Sequence, residues 1–267
     1  MSVELHPAKE EAQRQWNTDH CGAERGEDHE PGSLGFFQSV ERDRYQDYAP
    51  WMAETIGFSR YAGRRVLEVG GGLGTDLAQF VKAGAAVTDC DLAAGHLEMA
   101  RRNFAVRGLA GSFLLGDGET LPFRDGSFDV VYSFGVIHHT PDTERAVAEF
   151  HRVLRPGGEV IVMVYAKHSW NYWYRDWWLL GIRGGLLRTM TMSDILAQNT
   201  EYSPSGARPL VKVYTASQCR RIFAGFREVS ICKRQLTAYE IPRLLRFLPL
   251  GAWGRLMGWN LIVRARK

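Results

Sequence analysis

Between Arg65 and Tyr165 the chain alternates short apolar runs with segments of helical periodicity, and this alternation most constrains its fold. Arg65-Val66-Leu67-Glu68-Val69 predicts a buried strand running into Gly70-Gly71-Gly72-Leu73-Gly74. The next segment sets Leu77, Phe80 and Val81 on one face and stops at Gly84, as a helix would. A second strand is expected at Ala86–Asp91, then a helix over about 93–107 and strands over 112–116 and Phe128–Phe134. A helix over 143–154, closed by Arg155-Pro156-Gly157-Gly158, leads to a fifth strand over 159–165. Strands separated by helices need crossover connections, so they run mostly parallel with both faces covered. The expected class is α/β, a doubly wound Rossmann-like sheet.

The flanks read differently. Residues 1–60 begin polar and irregular; from 36 to 58 a helical pattern carries Phe37, Val40, Arg44, Tyr45, Tyr48 and Trp51. After Tyr165 the alternation pauses: an aromatic run with Trp170, Tyr172, Trp173, Tyr174, Trp177 and Trp178 opens an insertion over about 167–214. A helix over 216–224, a strand over 227–231 and a last strand at 261–263 resume the fold. The expected division is an N-terminal segment, 1–60, and a main domain, 61–267.

Composition excludes some classes. The 33 basic and 30 acidic residues give a net charge of +3, which argues against nucleic acid as a partner. Four cysteines, Cys21, Cys90, Cys219 and Cys232, form no CxxC pair, so no metal site is expected. The N-terminus lacks the pattern of a signal peptide, and no run reaches the ~18 apolar residues of a membrane span. A cytoplasmic protein without stable membrane insertion is the expectation.

Ligands of such sheets bind beyond the carboxyl ends of the strands, where strand order reverses. The glycine loop after the first strand sits there, and its backbone can approach a ligand that a Cβ would block. Thr75 stands where a dinucleotide fingerprint would place its third glycine, although a nicotinamide-dependent oxidoreductase stays an alternative. Asp91 ends the second strand 21 residues after Gly70, placed to accept both hydroxyls of a ribose; Asp89 is the second choice. Asp117 ends the third strand and could accept from an adenine amino group, or simply form a turn. Together these acids and the loop suggest a nucleoside site.

At these residues the chain resembles class I S-adenosylmethionine-dependent methyltransferases of the small-molecule branch. Val66-Leu67-Glu68-Val69-Gly70-Gly71-Gly72-Leu73-Gly74 is similar to their motif I, Asp91-Leu92 to the acidic position after it, and the 116–123 stretch from Gly116-Asp117-Gly118 to motif II. The 127–139 run ending in His138-His139 and the Arg152-to-Gly158 segment complete a pattern over about 64–166. Gly118 stands where the family often has Ala, and Gly71 where Cys or Ala is common. The resemblance implies seven strands with the last antiparallel, and S-adenosylmethionine as methyl donor. Gly70 and Gly72 would pass near its methionine part, Glu68 would hold its amino group, Asp91 with Leu92 the ribose, and Asp117 with Gly118 the adenine. Ser133 would complete the donor site.

In-line methyl transfer neutralises a sulfonium, so a dry and well-positioned site helps, and a base is needed only if the acceptor must lose a proton. His138 and His139, after the fourth strand, are the nearest imidazoles for that task. Each could also be structural, one capping a helix and the other packing. An acid matches His138 in the related cyclopropane-forming methyltransferases. Arg44 and Tyr45 could touch the donor carboxylate or the acceptor if the N-terminal helix closes as a lid. Tyr165, Trp170 and Trp173 would cap a small, apolar acceptor, unless the aromatic run packs as core. The basic, amphipathic 240–253 segment admits contact with a membrane surface, a second pocket wall or a homodimer contact. A donor-binding module without catalysis is the rival reading.

Overall fold

In the computed structural model, which describes residues 5–267 apart from Tyr202 and Leu248, the apolar runs pair into one sheet. Its strands are β1 (Arg65–Val69), β2 (Ala86–Asp91), β3 (Ser112–Leu115), β4 (Phe128–Phe134), β5 (Leu154–Tyr165), β6 (Arg227–Arg234) and β7 (Asn260–Arg266). The order is β3-β2-β1-β4-β5-β7-β6. The β1–β5 strands pair in parallel, and β7 is antiparallel to both neighbours.

Period-2 alternation splits the central strands between two cores. Val131 on β4 and Val160, Val162 and Val164 on β5 join Phe150 and Phe223 on one face. Val130, Tyr132, Ile161 and Met163 join Leu77, Phe80 and Met52 on the other. Near-continuous apolar runs are what a sheet covered on both faces requires. Burying each such side chain contributes roughly 1.5–3 kcal/mol.

The covering helices are α1 (Pro7–Thr18), α2 (Leu34–Arg42), α3 (Met52–Ile56), α4 (Thr75–Lys82), α5 (Ala94–Arg107), α6 (Thr143–Val153), α7 (Met192–Asn199), α8 (Ala216–Ile222) and α9 (Leu250–Met257). Strand order reverses between β1 and β4, which opens a cleft beyond their carboxyl ends.

Three elements depart from the sequence expectations. The polar start of the chain contains α1, begun by Pro7 and capped by the His6 side chain on Ala8 N. The helix expected over 36–58 breaks: α2 gives way to a π-helical turn at Asp43–Tyr48, Pro50 cannot donate a backbone hydrogen bond, and the short α3 follows. β5 begins at Leu154 rather than 159, where Leu154 pairs with Phe128 ahead of a register shift. The insertion holds a π-helix, Asn171–Arg183, and α7.

Candidate functional site

A cavity of about 450 Å³ occupies the cleft at the strand-order reversal. At one end β1 delivers Glu68 and the glycine loop, β2 delivers Asp91 and Leu92, and Asp117 and Gly118 follow β3. Gly70 and Gly72 adopt φ of +79° and +57°, a region that side-chain-bearing residues avoid. A Cβ on Gly70 would lie 2.3 Å from Val136, whereas the space beside Gly72 is open.

The acids here differ sharply. Asp91 Oδ1 accepts from Ala93 N at 2.8 Å, and Oδ2 from Gly72 N at 3.3 Å and His96 Nδ1 at 3.2 Å. Burial would raise Asp91, but His96 and these donors hold it below the usual carboxylate range. Asp89 lies under the loop, accepting from Gly71 N at 3.1 Å, so it does not reach the cavity. Glu68 is only 2% exposed and its Oε2 has no partner. Burial, reinforced by Asp76 and Asp89, raises it well above the usual range.

Asp117 is engaged twice: Oδ1 accepts from Glu119 N at 2.9 Å and Oδ2 pairs with Lys9 of α1 at 2.6 Å. Lys9 also meets Glu119 at 2.5 Å; burial opposes its charge, but the two carboxylates prevail and raise its pKa. Gln13 donates to Leu92 O at 3.0 Å, and Trp16 stacks on His96 at 5.8 Å between ring centroids. Sequence reading missed this helix because its inward face is polar: Lys9 and Gln15 are buried beside Ala12.

The middle of the cavity is fixed by Asp76 in the first turn of α4, also missed. Arg44 binds it through two bonds, at 2.6 and 2.5 Å, while Tyr45 Oη donates at 2.5 Å and Tyr132 Oη at 2.8 Å. Burial would raise Asp76; Arg44 and the phenols hold it low. Arg44 faces the cavity and lies 5.0 Å over the Phe134 ring. Tyr45 does not: its hydroxyl is spent on Asp76, and Tyr48 lines the wall in its place. Ser133 is corrected too, being fully buried with its hydroxyl donated to Val69 O at 3.0 Å.

At the far end His139, Tyr165, Glu201, Met163 and Trp259 meet. Nδ1 of His139 lies 2.7 Å from Leu210 O; a carbonyl only accepts, so Nδ1 donates to it. Nε2 of the same ring is 3.5 Å from Glu201 Oε1, which accepts from Tyr165 Oη at 2.8 Å. The Tyr165 ring stacks on Trp259 at 4.5 Å between centroids. His138 is fully buried outside the cavity wall, its ring 4.0 Å from that of Tyr165, with neither nitrogen partnered. Burial first, and His139 second, hold it well below 6.5. Ligand-type atoms of His138, His139 and Glu201 come within 4.8 Å of one another, a grouping that no sequence spacing announced.

Cys21 and Tyr48 present their exposed surface to the cavity. Burial and then the charge of Glu201 push the Cys21 thiol up to about 12, which keeps it protonated.

The aromatic run is placed unexpectedly. In the π-helix, Asn171 and Arg175 face the cavity, whereas Trp173, Trp177 and Trp178 are exposed on the outside. Trp170 donates to Glu240 O at 2.9 Å and stacks on Tyr174. Trp170 and Trp173 therefore do not line the cavity. A helix with i→i+5 bonds has a longer turn than the α-helical period on which a lid of these rings would rest.

Comparison with known proteins bears on the donor end. Residues 67–162 match the family described as a methyltransferase domain. This stretch therefore carries the sequence of a methyltransferase domain. The chain is 37% identical over 109 residues to a demethylmenaquinone methyltransferase of Streptomyces griseus, covering 40% of this chain and 45% of that protein. It is 38% identical over 135 residues to one from Thermus thermophilus, with 47% and 60% covered. It is 36% identical over 111 residues to a malonyl-[acyl-carrier protein] O-methyltransferase of Serratia marcescens, with 42% of each covered. The chain thus spans about half the length of these curated relatives. Among solved structures, a SAM-dependent methyltransferase from Aquifex aeolicus superposes with a TM-score of 0.54 at 16% identity, covering 88% of this chain and 98% of that one. One from Methanosarcina mazei gives 0.56 at 19% identity, with 80% and 96% covered. These structures share the fold; in this chain β7 is antiparallel to both its neighbours, which an all-parallel dinucleotide sheet would not show.

S-adenosylmethionine is the cofactor of this family, and the donor end fits it. The buried, unpartnered Glu68 Oε2 calls for a cationic donor such as the methionine ammonium. The open space at Gly72 is a cradle that a Cβ would fill.

Proposed function

We propose that this chain transfers a methyl group from S-adenosylmethionine to a small molecule with an apolar body and one acidic hydroxyl or comparable centre. One observation carries the reading: a single cavity joins the Glu68–Asp91 donor end to the His139–Glu201–Tyr165 cluster. The bound donor supplies an electrophilic methyl group. Glu68 would hold its ammonium, Asp91 and Leu92 its ribose, and the Gly118 backbone its adenine. Asp117, committed to Lys9, would serve there by holding α1 in place.

The acceptor would lie against Phe134, Met163 and the Tyr165–Trp259 stack, which take over the part expected of Trp170 and Trp173. The charged groups on this wall are paired, Arg44 with Asp76, Arg175 with Asp176, and Glu240 with Asn171, so an apolar body meets few naked charges. His139 rather than His138 is the proton acceptor in this reading, because His139 borders the cavity while His138 does not, and Glu201 beside its Nε2 would stabilise an imidazolium. Residues 1–60 act as the cover, since Lys9, Trp16, Cys21 and Arg44 all border the cavity.

Demethylmenaquinone and malonyl-thioester analogues, with phenols and enols of similar size, form the test panel with labelled donor. His139→Ala and Glu201→Gln should each lower turnover by about 100-fold or more, with donor affinity by calorimetry within about twofold of wild type. Donor binding without transfer to any acceptor would instead favour the binding-module reading. Unchanged turnover in His139→Ala would leave positioning as the whole mechanism.

A further inference from the structure

Among the described residues, nine of the fourteen large hydrophobic side chains that stand exposed lie in two segments, 171–183 and 239–256. Trp173, Trp177 and Trp178 project from the π-helix at 38–40% exposure; Leu244, Phe247 and Leu256 stand at 86%, 81% and 69% on the other segment. The two segments touch beside the cavity wall, where Trp170 and Asn171 bond to Glu240. Such a concentration exceeds the scattered apolar residues of an ordinary surface.

The exposed charges of the two segments and of the turn that follows the first are basic. Arg183 and Arg188 follow the tryptophans, and Arg243, Arg246 and Arg255 interleave the second segment; all five are exposed and none forms an ion pair. Residues 177–193 and 241–258 contain no Asp or Glu. Asp176 and Glu240, the acids within the two segments, point inward to Arg175 and Asn171, and the exposed Asp194 of the neighbouring α7 is held by Thr191. No helix among the described residues is long and apolar enough to cross a membrane.

We infer that this face docks on the surface of an anionic lipid bilayer, with the tryptophans, Leu244 and Phe247 entering the headgroup region and the arginines meeting lipid phosphates. Indole rings and arginines at the boundary of an apolar patch suit that interface. A second copy of the chain fits less well, because an isologous contact would bring two arginine-rich faces together. The inference is independent of the proposed chemistry, since it uses only side chains outside the cavity.

Vesicle co-sedimentation tests it, using phosphatidylcholine alone and phosphatidylcholine with a quarter phosphatidylglycerol. Wild-type protein should partition onto the anionic vesicles about tenfold or more above the zwitterionic ones, and lose that preference at high salt. Arg243→Ala/Arg246→Ala should weaken binding by about fivefold per arginine (~1 kcal/mol each). Leu244→Glu/Phe247→Glu and Trp177→Glu/Trp178→Glu should abolish it, with donor affinity unchanged as proof of an intact fold. Equal binding to both vesicle types, or wild-type binding by these variants, overturns the inference. So does a dimer in light scattering that the same variants dissolve while vesicles capture nothing.

Discussion

Asp76 shows how much of the site rests on a single carboxylate. Its oxygens gather Arg44, Tyr45 and Tyr132 from two different parts of the fold, so Asp76→Ala would leave a partly buried guanidinium unpaired and two phenols without their acceptor. A loss of about 3–5 kcal/mol in urea unfolding is expected. Asp91→Ala should spare the fold more and cost donor affinity about tenfold or more by calorimetry, because it removes charge-assisted bonds from a desolvated diol. His138 contributes through pH. Its folded pKa lies well below 6.5, so below that pH the unfolded chain binds the extra proton and stability falls on acidification, by up to about 1.4 kcal/mol per pH unit. Urea midpoints measured from pH 7.5 down to 5 should show this decline, and His138→Phe should flatten it. The strand-end acids were legible in the sequence because position and charge suffice to find them. Which histidine faces the cavity was not, since adjacent residues differ only by the local turn that follows β4.

Among the elements, α1 and the π-helix resisted sequence reading for opposite reasons. The first hides an inward face made of Lys9, Gln13 and Gln15, so no apolar stripe marks it. The second displays a dense aromatic pattern whose lengthened turn carries Trp173, Trp177 and Trp178 outward. Lys9→Met keeps the side-chain length but strands Asp117 and Glu119 without their cation. Hydrogen exchange over residues 7–18 should then accelerate, and donor affinity should drop severalfold while the sheet amides stay protected. Unaltered exchange in α1 would show that its other contacts, among them those of Gln13, Trp16 and Asn17, suffice to anchor it.

At the scale of the whole molecule, the alternating core was plain in the sequence, since buried parallel strands must be written as apolar runs and crossovers as helices. The two-sidedness of β4 and β5 follows from the same code, Val131 to one core and Tyr132 to the other. Donor occupancy should stabilise that core: at a hundred times Kd the demethylated donor adds about 2.7 kcal/mol, or roughly 5–10 °C in Tm for a chain of this size. A melting point indifferent to it would contradict the assignment of the donor end. The position of β7 has a kinetic consequence. It slots between β5 and β6, yet Tyr165 and Asn260, partners in the ladder, are nearly a hundred residues apart in the chain. Closing so long a loop is entropically slow, so the β1–β5 half can assemble before β7 arrives. Trp259, immediately before β7, completes its stack on Tyr165 only with that last pairing. During refolding, competence to hold the donor should therefore return first, and the wall that would meet the acceptor should close last.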